Sequence, residues 1–239
     1  MFFMSPGYML ISLIGMVIIF IPQMLVKSTY SKFSKVKVAT NMTGADVAKS
    51  MLRNAGINNV EVVPIGGELS DHYDPANKTV NLSENIFYGN SISSIGIAAH
   101  EVGHAIQDNQ GYLPMRIRAG IFPAVQTGQM LGPLLLMVGL GLRFGLGMGE
   151  FTTLIALIGI CLYGAVVLFQ IVTLPVEFNA SFRAVKILSN SGYLIDKKEL
   201  GGAEAVLTAA AFTYVAAALY ALIELLYWVW VFFGKSREE

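Results

Sequence analysis

Two histidines four residues apart, with a glutamate after the first, are the residues of this chain best suited to chemistry: His100-Glu101-Val102-Gly103-His104. On a helix, positions i and i+4 share a face with Cβ atoms roughly 5–6 Å apart, so both imidazoles can reach one tetrahedral Zn²⁺. Glu101 is not a ligand in that arrangement. It falls beside the ion, where a carboxylate can act as general base toward an attacking water. With three histidines in 239 residues, an HExxH spacing arises by accident about once in a thousand such chains. The flanks, Ala98-Ala99 and Ala105-Ile106, read as a buried helix, in which two unmatched imidazoles would be costly.

A catalytic zinc site takes three protein ligands and keeps one position open, so a third ligand must come from elsewhere. The candidates are His72, Asp71, Asp74 and Asp108 near the motif, and Glu177, Asp196, Glu199 and Glu204 downstream. Glu177 stands out because Pro175, two residues before it, fits the first turn of a helix that opens as an apolar stretch ends. An electrophile for the tetrahedral oxyanion is also needed. His72 and Tyr73 in Ser70-Asp71-His72-Tyr73-Asp74-Pro75 are donors of the right type, against the plainer reading that this segment is a turn held by its Asp side chains.

The elements that hold these residues can be read from spacing. Ile92 to Gln107 is expected as a helix, apolar on one side through Ile95, Ala98, Ala99, Val102 and Ile106. Thr43 reads as the N-cap of an earlier helix, with Ala45, Ala48, Met51, Leu52 and Ala55 on one face and Gly56 at C′. Between them, Asn59–Ile65 and Lys78–Leu82 read as strands, separated by Gly66-Gly67 and the turn signal Asp74-Pro75-Ala76-Asn77. Lys78–Leu82 is expected at a sheet edge, where an extended peptide could add as a further strand.

Composition sets these elements in a membrane protein. Hydrophobic residues make up 54% of the chain and charged ones 13%, about half the charged fraction of an ordinary soluble domain. Four stretches, Tyr8–Val26, about Pro123–Leu142, Phe151–Leu174 and about Ala209–Phe233, are long enough to cross some 30 Å of hydrocarbon, and among them only the last is interrupted by a charge, Glu224. No Lys or Arg precedes the first stretch and no small-x-small site follows it, so it is expected as a retained anchor. Lys27, Lys32, Lys35, Lys37, Lys49, Arg53, Lys78, Arg116 and Arg118 lie between the first two stretches, and Arg183, Lys186, Lys197 and Lys198 between the last two; Arg143, Lys235 and Arg237 lie elsewhere. Positive charge stays inside, so both polar segments are expected in the cytoplasm and both termini outside.

Glu224 is an intramembrane ionisable residue and so a candidate for function, its plainer reading being a protonated or paired carboxyl in the bundle interior. Tyr227, Trp228 and Trp230 read as an interfacial belt. The glycines between Gly132 and Gly149 read as close helix packing and a tight outside turn. Lysines and arginines equal acids at sixteen each, and no basic stripe offers itself to a phosphate backbone, so nucleic acid is not an expected partner. Cys161, the single cysteine, cannot form an intrachain disulfide.

Gly67–Gln107 (GELSDHYDPANKTVNLSENIFYGNSISSIGIAAHEVGHAIQ) together with Leu174–Ala184 (LPVEFNASFRA) resembles the YugP-type neutral zinc metallopeptidases of bacterial membranes. The layout is also similar to HtpX-type and CAAX-prenyl-type membrane peptidases, in which two spans separate an HExxH helix from a helix carrying a glutamate ligand. The resemblance implies a gluzincin-like site holding one Zn²⁺ per chain, with His100, His104 and Glu177 as ligands and Glu101 as base. Asn179 stands where the family is expected to have Asp. Two residues beyond Glu177 on a helix it should face away from the ligand, which weakens any supporting role there. Ser181, one turn after Glu177, could hydrogen-bond a ligand or simply allow close packing, and Arg183 could be a surface charge or an oxyanion clamp.

The expected fold is therefore an α-helical integral membrane protein of about four spans, with a small α+β zincin-like catalytic unit in the cytoplasm. Its segments are an anchor (1–26), the catalytic segment with the HExxH helix (27–120), a second span and outside turn (121–150), a third span (151–174), a cytoplasmic helical segment offering Glu177 (175–208), and a fourth span and tail (209–239). The expected activity is peptide-bond hydrolysis at the plasma membrane by a metal-activated water, on peptide or membrane-protein substrates. Cleavage within the bilayer does not suit the short HExxH helix between polar loops. A catalytically silent zinc-binding scaffold or adaptor would not need Glu101.

Overall fold

The computed structural model describes residues 5–146 and 149–234, the side chains of 144–146 excepted. Lys235 and Arg237, and part of the expected outside turn, lie outside the described residues. The elements run α1 (Pro6–Phe33), α2 (Gly44–Asn54), β1 (Glu61–Ile65), β2 (His72–Asp74), β3 (Thr79–Ser83), α3 (Glu84–Phe87), α4 (Ile92–Asn109), α5 (Leu113–Leu146), α6 (Glu150–Ser191) and α7 (Lys197–Gly234). Among the described residues, four helices, α1, α5, α6 and α7, are long and apolar enough to cross a membrane. The chain divides into two compact units, one of Met1–Ile21, Ile117–Thr173 and Tyr214–Glu239, the other of Pro22–Arg116 and Leu174–Thr213.

The second unit carries the motif. Its helix α2 begins as its sequence dictates: the Thr43 hydroxyl accepts from the Asp46 N–H, and the Asp46 carboxylate accepts from the Thr43 N–H, closing a capping box. Gly56 follows with φ +70°, a left-handed position that glycine takes without penalty. The three-stranded sheet has the order β1-β3-β2, with β1 parallel to β3 and β2 antiparallel to it. This corrects the expectation of an edge strand at Lys78–Leu82. β3 is central, paired through Glu61↔Thr79 to Ile65↔Ser83 on one side and His72↔Asn81 to Asp74↔Thr79 on the other, so its ladder is already used and a peptide cannot add to it there. Val80 and Leu82 on β3 are fully buried, as are Ile95, Ala98, Ala99 and Val102 of α4, and these residues belong to one apolar core. Ser91 caps α4, its hydroxyl accepting from the Ser94 N–H.

Glu177 does not open a new helix. Pro175 lies inside α6, where its missing N–H leaves one helical carbonyl without a donor while the helix continues through it. The segment 70–77 is both strand and turn: β2 occupies His72–Asp74, and the Asp74 carboxylate then accepts from the N–H groups of Ala76 and Asn77.

In the first unit, α5 and α6 approach closely at glycines. A Cβ on Gly139 would collide with the Ala156 backbone, and one on Gly159 would stand 2.7 Å from the Leu136 nitrogen, the close backbone approach that small residues permit. Among the described residues the partners of Glu224 are phenols: the Tyr163 hydroxyl donates to one carboxylate oxygen at 2.6 Å and the Tyr8 hydroxyl to the other at 3.2 Å. The expected aromatic belt is only partly exposed. Trp230 is exposed, whereas Tyr227 and Trp228 are buried and pack against Tyr8.

Candidate metal centre

Helix α4 presents His100 and His104 one turn apart, their rings edge to face with centroids 4.7 Å from each other. One oxygen of Glu177, Oε2, stands 3.2 Å from His100 Nε2 and 3.4 Å from His104 Nε2. One ligand atom from each of the three residues lies within 4.8 Å of the others. Ligands held at 2.0–2.1 Å in a tetrahedral set are about 3.3 Å apart, so two imidazoles and a carboxylate at these separations fit a zinc ion. Glu177 is 2% exposed and His104 8%, and a carboxylate so buried needs positive charge or donors facing it. Burial pushes the His104 pKa down, and the neighbouring Glu177 carboxylate, together with Glu101, outweighs this and holds it above its ordinary value. Glu101 is also buried, at 7% exposed.

A glycine makes the approach possible. A Cβ on Gly103, inside the motif, would be 2.7 Å from the carbonyl oxygen of Ala180 and 3.2 Å from its Cα. Ala180 lies one turn after Glu177 on α6, so the contact that only glycine allows is the one that carries Glu177 to the histidines.

Behind the two Nε2 atoms, the Nδ1 atoms have partners of their own. His100 Nδ1 lies 3.1 Å from the Ser181 hydroxyl, and His104 Nδ1 lies 3.0 Å from Gln107 Oε1. The Gln107 amide donates to the Val176 carbonyl at 2.8 Å and to Asn179 Oδ1 at 3.0 Å. Arg183 donates to Asn179 Oδ1 through Nε at 2.6 Å, and to Gln110 Oε1 through Nη1. The expectation of a weakened supporting role for Asn179 is therefore corrected. It faces away from the metal ligands but toward Gln107, the residue behind His104. Gln107 itself went unmarked in the sequence, although a glutamine three residues after His104 in an apolar helix is a signal that could have found it.

Among the described residues the other candidate ligands do not join this set, and most are engaged elsewhere. Asp71 accepts from the Ser83 N–H and hydroxyl, and burial pushes its carboxyl pKa up. Asp108 accepts from the Tyr73 hydroxyl and from Lys78, each at 2.6 Å, which also takes the Tyr73 hydroxyl away from any oxyanion role. Asp196 accepts from the first N–H groups of α7, and Glu199 from the N–H groups of Ala39 and Ile195. Glu204 is exposed. His72 is exposed on β2, with Nδ1 2.8 Å from the Ser70 carbonyl oxygen. That carbonyl can only accept, so a neutral His72 keeps its hydrogen there, and the ring can donate from Nε2 only as the imidazolium.

The family model described as "Putative neutral zinc metallopeptidase" matches residues 8–233. A curated protein of Bacillus subtilis (strain 168), "Putative membrane protease YugP", is 45% identical over 217 residues, covering 91% of this chain and 92% of that one. No solved structure matches the chain. With a family match over nearly its whole length, and that identity to a membrane protease, the chain belongs to the neutral zinc metallopeptidase family.

Proposed function

We propose that this protein is an integral-membrane zinc endopeptidase of gluzincin type, with His100, His104 and Glu177 as ligands and Glu101 as general base. The observation that supports it most is the convergence of Glu177 Oε2 on both imidazoles at 3.2 and 3.4 Å, beside a buried carboxylate that is not a member of that set. A zinc ion held there supplies a Lewis acid that polarises the scissile carbonyl and makes water acidic. The chain does the rest. Glu101 accepts a proton from the attacking water on a carboxylate oxygen and returns it to the leaving amine nitrogen. The buried carboxylate of Glu177 balances charge at the centre, and His72 is the proposed hydrogen-bond donor to the oxyanion. The distribution of Lys and Arg supports placing this zincin-like unit on the cytoplasmic side of the plasma membrane, and the substrates we infer for it are peptides or membrane proteins.

The test is metal content and peptide hydrolysis of the detergent-purified protein. Wild type and Glu101→Gln should hold one zinc per chain, Glu177→Ala should lose or weaken it, and Glu101→Gln should cut hydrolysis by about 10²–10⁴-fold. Unchanged zinc in Glu177→Ala would remove the third ligand. Zinc bound with no hydrolysis by the wild type on any peptide would favour a silent scaffold.

A further inference from the structure

Gln107 has no exposed surface, and the directions of its hydrogen bonds determine what it does. The reasoning starts at Arg183, whose guanidinium can only donate. Its Nε meets Asn179 at 2.6 Å, so the Asn179 amide must turn its oxygen toward Arg183. That same oxygen lies 3.0 Å from the Gln107 amide, and the Val176 carbonyl, which can only accept, lies 2.8 Å from it. Two acceptors thus face one end of the Gln107 amide, and that end must be the NH₂. Turned the other way, the Gln107 oxygen would oppose both, with no water at a fully buried site to relieve it. Oε1 is then left facing His104 Nδ1 at 3.0 Å. An acceptor facing a ring nitrogen requires the hydrogen to sit on that nitrogen.

We propose that Gln107 is a positioning residue for the metal centre. It locks His104 in the Nδ1–H tautomer, which presents the Nε2 lone pair toward Glu177 and the ion, and Arg183 acting through Asn179 sets the sense of the lock. The inference rests on the zinc reading above and deepens it. The two histidines differ in this respect. The Ser181 hydroxyl beside His100 Nδ1 can donate or accept, so it follows whichever tautomer His100 adopts, whereas Gln107 dictates that of His104.

The experiment uses the full chain in detergent. Zinc affinity is measured by competition with a chromophoric chelator, and ¹⁵N-histidine labelling with long-range ¹H–¹⁵N correlation shows which ring nitrogen carries the proton. In the wild type, His104 should be protonated at Nδ1 and metallated at Nε2. Gln107→Leu, which removes the acceptor, should weaken zinc binding by about 10–100-fold, while Gln107→Glu, which keeps the acceptor facing His104 but sets its second oxygen against the Val176 and Asn179 oxygens, should lower the melting temperature yet weaken zinc binding by less than Gln107→Leu does. Three results overturn the inference: wild-type His104 protonated at Nε2 or metallated through Nδ1, Gln107→Leu binding zinc like the wild type, or Gln107→Glu falling as far as Gln107→Leu. The last would mean that the glutamine only fastens α4 to α6. The wild-type spectrum decides the tautomer even if Gln107→Leu does not fold. A wild type that binds no zinc overturns the metal centre itself, and this inference with it.

Discussion

Replacing Gly103 with alanine should separate the stability of the fold from the integrity of the metal centre. The new Cβ would stand 2.7 Å from the Ala180 carbonyl oxygen and 3.2 Å from Ala180 C and Cα. An ordinary carbon contact begins near 3.4 Å, so relief requires a displacement of about 0.7 Å, and the obstructing atoms are backbone, which no rotamer change can move. Overpacking of this kind costs about 1–3 kcal/mol. Alanine in place of glycine within a helix returns about 0.8–1.0 kcal/mol. The net loss of stability is therefore about 0–2 kcal/mol, and the protein should still fold. The metal centre has less tolerance. Glu177 lies three residues before Ala180 on α6 and moves with it, and about 0.7 Å is well beyond the ±0.2 Å within which metal–ligand distances are held. Zinc affinity should fall by at least about tenfold, the range in which disturbed support of a ligand is felt. Chelator competition measures the affinity, and thermal melting followed by circular dichroism measures the fold. Wild-type affinity in Gly103→Ala, with the melting temperature barely moved, would refute the idea that this glycine sets the distance between Glu177 and the histidines.

Other consequences can be checked in the same preparation. Ser181→Ala removes a partner of His100 that adapts to either tautomer, so zinc affinity should fall by less than about tenfold, below the loss expected for Gln107→Leu. Tyr163→Phe takes the 2.6 Å donor from one oxygen of the half-buried Glu224 and should cost about 1 kcal/mol, the net worth of a hydrogen bond; the melting temperature should drop while zinc content stays constant. Thr43→Ala opens the capping box of α2 and should cost about 1 kcal/mol. The Asp46 carboxyl is held below its ordinary range, first by the Thr43 hydroxyl and then by the Thr43 N–H. Its contribution is therefore full above the ordinary carboxylate range and is lost as pH falls through the lowered value. Wild type should lose this increment on acidification, and Thr43→Ala, which keeps only the backbone N–H to Asp46, should lose less, so the gap between their melting temperatures should narrow toward low pH.

What was legible in the sequence was what short-range geometry decides. The pairing of His100 with His104 depends only on the helical repeat, and the Thr43 cap only on three residues of chain. β2 was hidden because Ser70, Asp71, Asp74 and Pro75 are turn-forming types, and the three-residue strand set among them owes its existence to β3 beside it. The position of β3 was misjudged for a related reason: strand order is set by pairing across long loops, which alternation of side chains does not encode. Pro175 looked like a helix start because proline usually is one, yet α6 runs through it.

Asn179 shows the limit most clearly. Reasoning from Glu177 along one helix rightly turned Asn179 away from the ligands, but the residue it meets belongs to another helix, at Gln107, 72 positions earlier in the chain. The inner layer of the centre, ligands and base, is thus written in residue types at fixed spacings, while the layer that orients it exists only after α4 and α6 have met. Gly103 joins the two, since it sits inside the local motif and its missing side chain is what admits the distant helix. Any HExxH helix that must receive its third ligand from a helix packed this closely needs a residue without a Cβ at the point of contact. The small residue at that position is therefore as much a part of the metal centre as the ligands it brings together.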